Sequence, residues 1–242
     1  MYKQEQDHKD MKTQAYPTRP LVAVSAQVIP IRKMHNLLYL VSKRLIDIFG
    51  SLFGLILLFP VFVILTVLVR LSSTGPILHR RRVLSYQSYE GGVPEGFDAF
   101  KFRTMIADAD TFLSQNPELM SEFQKDFKLR DDPRVTKIGH KLRRASLDEL
   151  PQLFNVLRGQ MTLVGPRMIS PPELEMYGEY AQKLLSVKPG LTGLWQVSGR
   201  QNVSYAERVK LDMYYIDHRS LMLDIEILLK TVVSVLKRQG AY

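Results

Sequence analysis

The chain of 242 residues has no cysteine. That excludes disulfides, thiolate nucleophiles and Cys-based zinc sites, and it leaves the redox compartment open. Tryptophan is nearly missing too: Trp195 stands alone in a loop, where a Trp either packs or stacks on a base or sugar. Five histidines are present, none at metal-ligand spacing, so no transition-metal site is expected. Acid is short against base, with 24 Asp+Glu and 33 Lys+Arg, a formal net charge of +9 and a pI near 9.6. Such an excess suits an anionic partner: nucleic acid, an anionic membrane surface or a phosphorylated substrate. A nucleic-acid binder would interleave basic and aromatic residues on one face or carry a binding module. Neither is visible, and no nucleic-acid partner is expected.

Hydrophobic residues make up 45% of the chain, enough for a sizeable core and one domain with something attached. The opening MYKQEQDHKDMKTQ is polar and lacks the apolar centre of a secretory signal. Residues 1–34 mix charges with Pro17, Pro20 and Pro30 and read as a flexible tail. There is no internal repeat and no low-complexity stretch.

From Ile48 to Val69 the chain runs 22 residues without a charge. A straight helix of that length measures about 33 Å and could span a hydrocarbon core of roughly 30 Å. Two features disagree with a simple span. Pro60 sits near the middle, where it removes a backbone hydrogen bond and bends a helix. Base also flanks both ends: Arg32, Lys33, Lys43 and Arg44 before, Arg70, Arg80, Arg81 and Arg82 after. A spanning helix carries that excess on its cytoplasmic side only. A hairpin over residues 35–72 that enters, bends at Pro60 and returns reconciles both facts. A plain transmembrane anchor and a buried core helix stay open as alternatives. Lys43, Arg44 and Asp47 are expected at lipid headgroup depth, with Asp47 paired to its two basic neighbours.

Residues 73–242 read as a separate domain on the cytosolic face. TGPILHRRRVL suggests a turn and a short strand, SYEGGVPEG a loop, and FDAFKFRTM an alternating strand ending in Lys101 and Arg103. Residues 107–128 suggest one or two polar helices broken at Asn116-Pro117. Leu221 to Arg238 has a helical period, with Leu221, Ile225, Leu228, Val232, Val235 and Leu236 on one face. That helix either packs on the core or lies in a membrane interface.

In RRASLDELPQLFNVLRG, residues 143–159, Asp148 and Glu149 stand side by side. Ser146-Leu147-Asp148-Glu149 fits an S-x-x-E capping box, and a helix over 147–158 closed by Gly159 accounts for the whole stretch. The surroundings offer a second reading. Lys141, Arg143 and Arg144 come just before, and Arg167 follows the strand expected at MTLVG. A helix start among arginines is an anion site. Carboxylates held there can act as nucleophile or as Mg²⁺ ligands completed by substrate phosphates. A glycosidase pair fits poorly, because its two acids must flank a sugar ring about 5 Å or more apart.

Five blocks resemble the monotopic phosphoglycosyl transferases, bacterial sugar transferases that start glycan assembly on polyprenol phosphate. They are KRLIDIFGSLFGLILLFPVFVI, FKFRTM, DDPRVTKIGHKLRRASLDELPQLFNVLRGQMTLVGPR, KPGLTGLWQVSGR and SYAERVKLDMYYIDHRSLMLDIEILLKT, in order over about 200 residues. LTGLWQVSGR and the ending RQGAY are similar to the short, exopolysaccharide-initiating galactose 1-phosphate transferases, which lack the extra N-terminal membrane helices of longer members.

The resemblance implies a helix-rich α/β (α+β) domain on a re-entrant hairpin with interfacial helices, on the cytoplasmic face of the inner membrane. It implies that Asp148 is the nucleophile and that Glu149 helps hold Mg²⁺. Arg143 and Arg167 match phosphate-binding arginines, Lys101 and Arg103 a basic strand end nearby. Gly193, Gln196 and Arg200 match the nucleotide-sugar end. The implied reaction moves galactose or glucose 1-phosphate from a UDP-sugar to undecaprenyl phosphate, releasing UMP through an aspartyl-phosphosugar. Another donor, such as an N-acetylated amino sugar, or a non-catalytic scaffold are the alternatives. Downstream glycosyltransferases and a second copy are possible partners. The chain departs from the family in reading Pro166-Arg167-Met168 for Pro-Arg-Pro and Phe59-Pro60 for Ser-Pro. It also lacks a lysine before the FKFRTM strand.

Overall fold

The structure, a computed structural model, describes residues 35–86, 96–127, 129, 131–199 and 203–236. The tail, most of the YEGGVPEG loop, Arg200 and the RQGAY ending lie outside the described residues.

The apolar run forms two helices, α1 (His35–Leu57) and α2 (Phe59–Ser72), which meet at 63°. The ladder holds on either side of the break, with Leu58 N donating to Gly54 O and Phe62 N to Leu58 O, both at 2.9 Å. Pro60 falls between them in the first turn of α2, where a missing N–H is tolerated. Among the described residues no single helix is long and apolar enough to cross a membrane, but the bent pair together meets that test. One side of α1 lies against the domain because Gly50 and Gly54 leave room. A Cβ on Gly50 would stand 2.7 Å from Leu163 Cδ1, and one on Gly54 3.2 Å from Leu153 Cδ1. The other side is apolar and exposed through Val41, Leu45, Phe49, Leu52 and Ile56, continuing on α2 through Val63 and Val67.

Lys43, Arg44 and Asp47 turn inward, which corrects their expected place among lipid headgroups. Lys43 Nζ donates to Val164 O at 2.7 Å and to Asp224 Oδ2 at 2.8 Å. Arg44 donates to Val156 O and Leu157 O at 2.7 and 2.8 Å, capping a helix that follows the acid pair. Asp47 is 3% exposed, and its Oδ1 accepts from Leu163 N at 2.7 Å and Thr162 Oγ1 at 2.9 Å. The reason is geometric: the three lie on the face that Gly50 and Gly54 press against the domain, where unpaired backbone groups await partners.

The domain itself opens with β1 (Leu78–Leu84) and β2 (Gly96–Phe102), an antiparallel pair in the register Arg81↔Ala99 and His79↔Lys101. Alternation sends Val83, Phe97 and Ala99 into a core with Val156, Met161 and Met168. Phe102 faces the opposite way, joining Leu65 and Val69 of α2 and Leu142. Then come α3 (Ala109–Ser114) and α4 (Pro117–Asp126), broken at Asn116 as read, and α5 (Lys137–Arg144). Beyond the acid pair follow α6 (Gln152–Leu157) and β3 (Thr162–Val164), then a 3₁₀ stretch over Pro171–Tyr180 and α7 (Ala181–Leu185). β3 pairs in parallel with β4 (Gly190–Thr192), which leads into α8 (Leu194–Val197). The largest core cluster gathers Val164, Ile169, Tyr177, Leu184 and Val187 with Val209, Met213, Tyr215 and Ile216 of α9 (Tyr205–His218).

The last helix, α10 (Leu221–Leu236), packs on the core along one face and leaves the other apolar and exposed. Asp224 and Ile227 are buried against the domain, while Met222, Ile225, Leu229, Val232 and Val233 are exposed. Its Asp224 accepts from Tyr215 OH at 2.7 Å and from Tyr39 OH at 3.1 Å, so α10 and α1 are tied by one buried carboxylate.

Candidate active site

Two close backbone approaches build the site. At the first, Gly139 lets α5 lie on the end of β2, since a Cβ there would stand 2.0 Å from Thr104 O. Thr136 caps α5, accepting from Gly139 N at 2.9 Å, and Thr136 N donates to Thr104 O at 2.9 Å. The last turn of α5 thereby brings Arg143 Nε to Thr104 Oγ1 at 3.0 Å. At the second, Gly165 N donates to Thr192 O at 2.9 Å and Gly190 N to Pro166 O at 2.8 Å, fixing the chain into Arg167. Gly193 serves the same approach: its Cβ would meet Gly165 O at 2.3 Å.

The acid pair sits between these clamps, though not on the continuous helix expected over 147–158. Leu147–Glu149 is one 3₁₀ turn, and α6 starts only after Pro151. Ser146 does not cap it. Its φ is +56°, and its side chain makes no cap bond. The last turn of α5 closes on Ser146 N, which donates to Arg143 O at 3.0 Å, and the left-handed residue then reverses the chain. The capping box of this region is instead Ser170 with Glu173.

Asp148 is 7% exposed, while Glu149 is more open. Burial, with the charge of Glu149 beside it, pushes the Asp148 carboxyl up to about 6, against the pull of Lys101 and Arg143. Lys101 is brought down to about 8, first by burial, with Asp148 acting to keep it charged. Arg167 Nη1 stands 3.9 Å from Glu149 Oε1, and its guanidinium lies over the Trp195 ring at 5.6 Å. So Asp148, Glu149, Lys101, Arg143 and Arg167 come together as the sequence suggests.

Arg103 does not join them. Its guanidinium donates to Ser73 Oγ at 3.1 Å, Ser73 O at 2.5 Å, Val69 O at 3.3 Å and Pro76 O. It is spent on the C-terminal carbonyls of α2 and the turn beyond. β2 ends at Phe102, so the alternation that aims Lys101 at the acids no longer governs Arg103. Gln196 lies near Trp195, its Nε2 donating to Leu191 O at 3.3 Å.

Several charged groups of this region escaped the sequence reading. Arg81, counted there only as membrane flank, shares the inward face of β1 with Val83, and that period of two was the available signal. Its Nη2 lies 2.5 Å from Glu173 Oε1. Arg208 Nη2 is 3.9 Å from Glu173 Oε2, with the guanidinium over Trp195 at 5.1 Å and Tyr205 at 4.6 Å. Asp212 is fully buried and pushed up to about 7 by that burial, accepting from Tyr177 OH at 2.8 Å.

Among the described residues no group of three or more His, Asp and Glu could hold a metal alone. Two neighbouring hard carboxylates, one partly open, are of the donor type that a Mg²⁺ completed by substrate phosphates would use.

The bacterial sugar transferase family matches residues 38–238, and the chain belongs to that family. It is 43% identical over 234 residues to the UDP-galactose-lipid carrier transferase of Erwinia amylovora, covering 94% of this chain and 48% of that one. It is 42% identical over 206 residues to the exopolysaccharide production protein ExoY of Sinorhizobium fredii, covering 84% and 88%. It is 42% identical over 234 residues to the undecaprenyl-phosphate galactose phosphotransferase of Salmonella typhimurium, covering 94% and 48%. The chain thus spans about half the length of the Erwinia and Salmonella relatives and most of the Sinorhizobium one.

Proposed function

We propose that the chain transfers hexose 1-phosphate, galactose first among candidates, from a UDP-sugar to undecaprenyl phosphate, as the first step of a surface glycan. The observation that carries the reading is a buried carboxylate, Asp148, ringed by Lys101, Arg143 and, beyond Glu149, Arg167. A fold gains little stability from burying an acid within a cluster of cations, so the arrangement suits a bound diphosphate.

Lys101, Arg143 and Arg167 hold the diphosphate and offset the charge that develops during transfer. Glu149, with help from Asp148, would hold a Mg²⁺, and such an ion would supply further neutralisation of phosphate charge. An Asp148 carboxylate oxygen attacks the phosphorus that bears the sugar. An O–P bond forms, and the bond to UMP breaks, its electron pair leaving on the UMP oxygen. The acceptor's phosphate oxygen then attacks the same phosphorus, and the Asp148 carboxylate leaves. One nucleophile thus lets donor and acceptor use one small site in turn.

The membrane arrangement belongs to the same proposal. The exposed apolar faces of α1, α2 and α10 lie in lipid as a re-entrant hairpin and an interfacial helix, on the cytoplasmic side. Exposed Arg70, Arg80 and Arg82 take over the headgroup role first given to Lys43 and Arg44, at about 1 kcal/mol each near an anionic surface.

The test is UMP release by detergent-solubilised protein with undecaprenyl phosphate, Mg²⁺ and a panel of UDP-sugars. Release with UDP-galactose or UDP-glucose, lost in EDTA, is the expected result. Release only with an N-acetylated sugar changes the donor. Silence from folded protein across the panel overturns the reading.

A further inference from the structure

We infer that Arg81 is a further phosphate-contacting residue of this site and that Glu173 is the positioning residue that holds it there. The inference rests on the donor reading above. Arg81 stands on the inward face of β1, two residues from His79, which pairs with Lys101 across the hairpin. Its guanidinium is within electrostatic reach of both Glu149 and Arg167. Left alone beside Lys101, Arg167 and Arg208, a further cation would swing away, because like charges at low dielectric repel.

Glu173 prevents that. It is 4% exposed, and one of its oxygens, Oε1, takes Arg81 Nη2 at 2.5 Å, Ser170 Oγ at 2.6 Å and Ser170 N at 3.0 Å. The carboxylate is thus fixed by the chain that leaves Arg167, and it fixes Arg81 in turn. Arg81 also reaches Ser170 Oγ at 3.4 Å through the same Nη2, one terminal nitrogen of a group that carries five N–H donors. The other carboxylate oxygen faces Arg208 at 3.9 Å, so one buried acid stands between two guanidiniums. A carboxylate shared this way pre-sets cation geometry before substrate arrives, which is where positioning gains rate.

The experiment measures UDP affinity and the donor kcat/KM of the full chain in detergent, for Arg81→Gln, Glu173→Gln, the double variant and Ser170→Ala. Arg81→Gln is expected to weaken UDP binding about tenfold, the usual scale for one charge-assisted contact. Glu173→Gln should weaken it severalfold, and the double variant should bind no worse than Arg81→Gln alone. Ser170→Ala removes the hydroxyl that helps fix Glu173 but keeps the ion pair, so it should weaken UDP binding less than Glu173→Gln does. UDP binding that is equal in wild type, Arg81→Gln and Glu173→Gln overturns the inference and spares the donor reading. Additive losses in the double variant overturn the positioning role. A wild type that binds no UDP overturns both.

Discussion

Replacing Asp148 by Asn should stop turnover and, at neutral pH, make the protein more stable. The carboxyl lies buried with Glu149 beside it, and its titration is moved from 3.8 to about 6. A shift of that size corresponds to roughly 3 kcal/mol of preference for the neutral form. The sign follows from linkage: an acid whose titration is raised in the folded state favours folding below its unfolded value. That contribution is lost as pH rises through the folded value. At pH 7.5 the full cost is present, and near pH 3, below the unfolded value, it has all but vanished. The amide removes the cost while keeping the shape. For a domain of this size about 1 kcal/mol moves Tm by roughly 2–4 °C. Thermal unfolding in EDTA should therefore place Asp148→Asn roughly 6–12 °C above wild type at pH 7.5 and about level with it near pH 3. An equal or lower Tm at pH 7.5 would refute the claim that this carboxylate is held at the expense of the fold.

Arg103→Ala should destabilise the fold by about 2–4 kcal/mol and lower Tm accordingly, because it strips the carbonyls at the end of α2 of buried donors. Arg103→Lys should recover only part, lacking the fork. A raised donor KM at unchanged Tm would return Arg103 to the phosphate site. Lys101 loses its charge near pH 8, so kcat/KM should fall above that pH, and Lys101→Arg should carry activity further into base. A wild-type profile still flat at pH 9.5 would remove Lys101 from the site.

Much of this was legible in the chain, for identifiable reasons. The bend follows from Pro60, whose chemistry is local. Asn116-Pro117 broke the helices as read for the same reason. The convergence of Asp148, Glu149, Arg143 and Arg167 rests on short, ordered blocks around β3 and α5. What failed depends on long-range packing. Ser146 looked like a cap but is a left-handed reversal, because α5 closes on its N–H and Pro151 delays the next helix. Lys43, Arg44 and Asp47 looked like a headgroup cluster, yet carbonyls and amides of residues more than a hundred positions away claim them. Arg103 looked like a twin of Lys101 until the strand ended between them. Glu173 could be seen as important only once Arg81 was beside it.

The central claim is that Asp148 carries the sugar phosphate, and a covalent trap tests it most directly. The protein is mixed with Mg²⁺ and its UDP-sugar without acceptor, quenched and digested, and the peptide containing Asp148 is weighed. The account predicts one hexose phosphate on Asp148, discharged by adding undecaprenyl phosphate, and neither adduct nor turnover in Asp148→Asn. Full turnover in wild type with no adduct, together with an active Asp148→Asn, would contradict it.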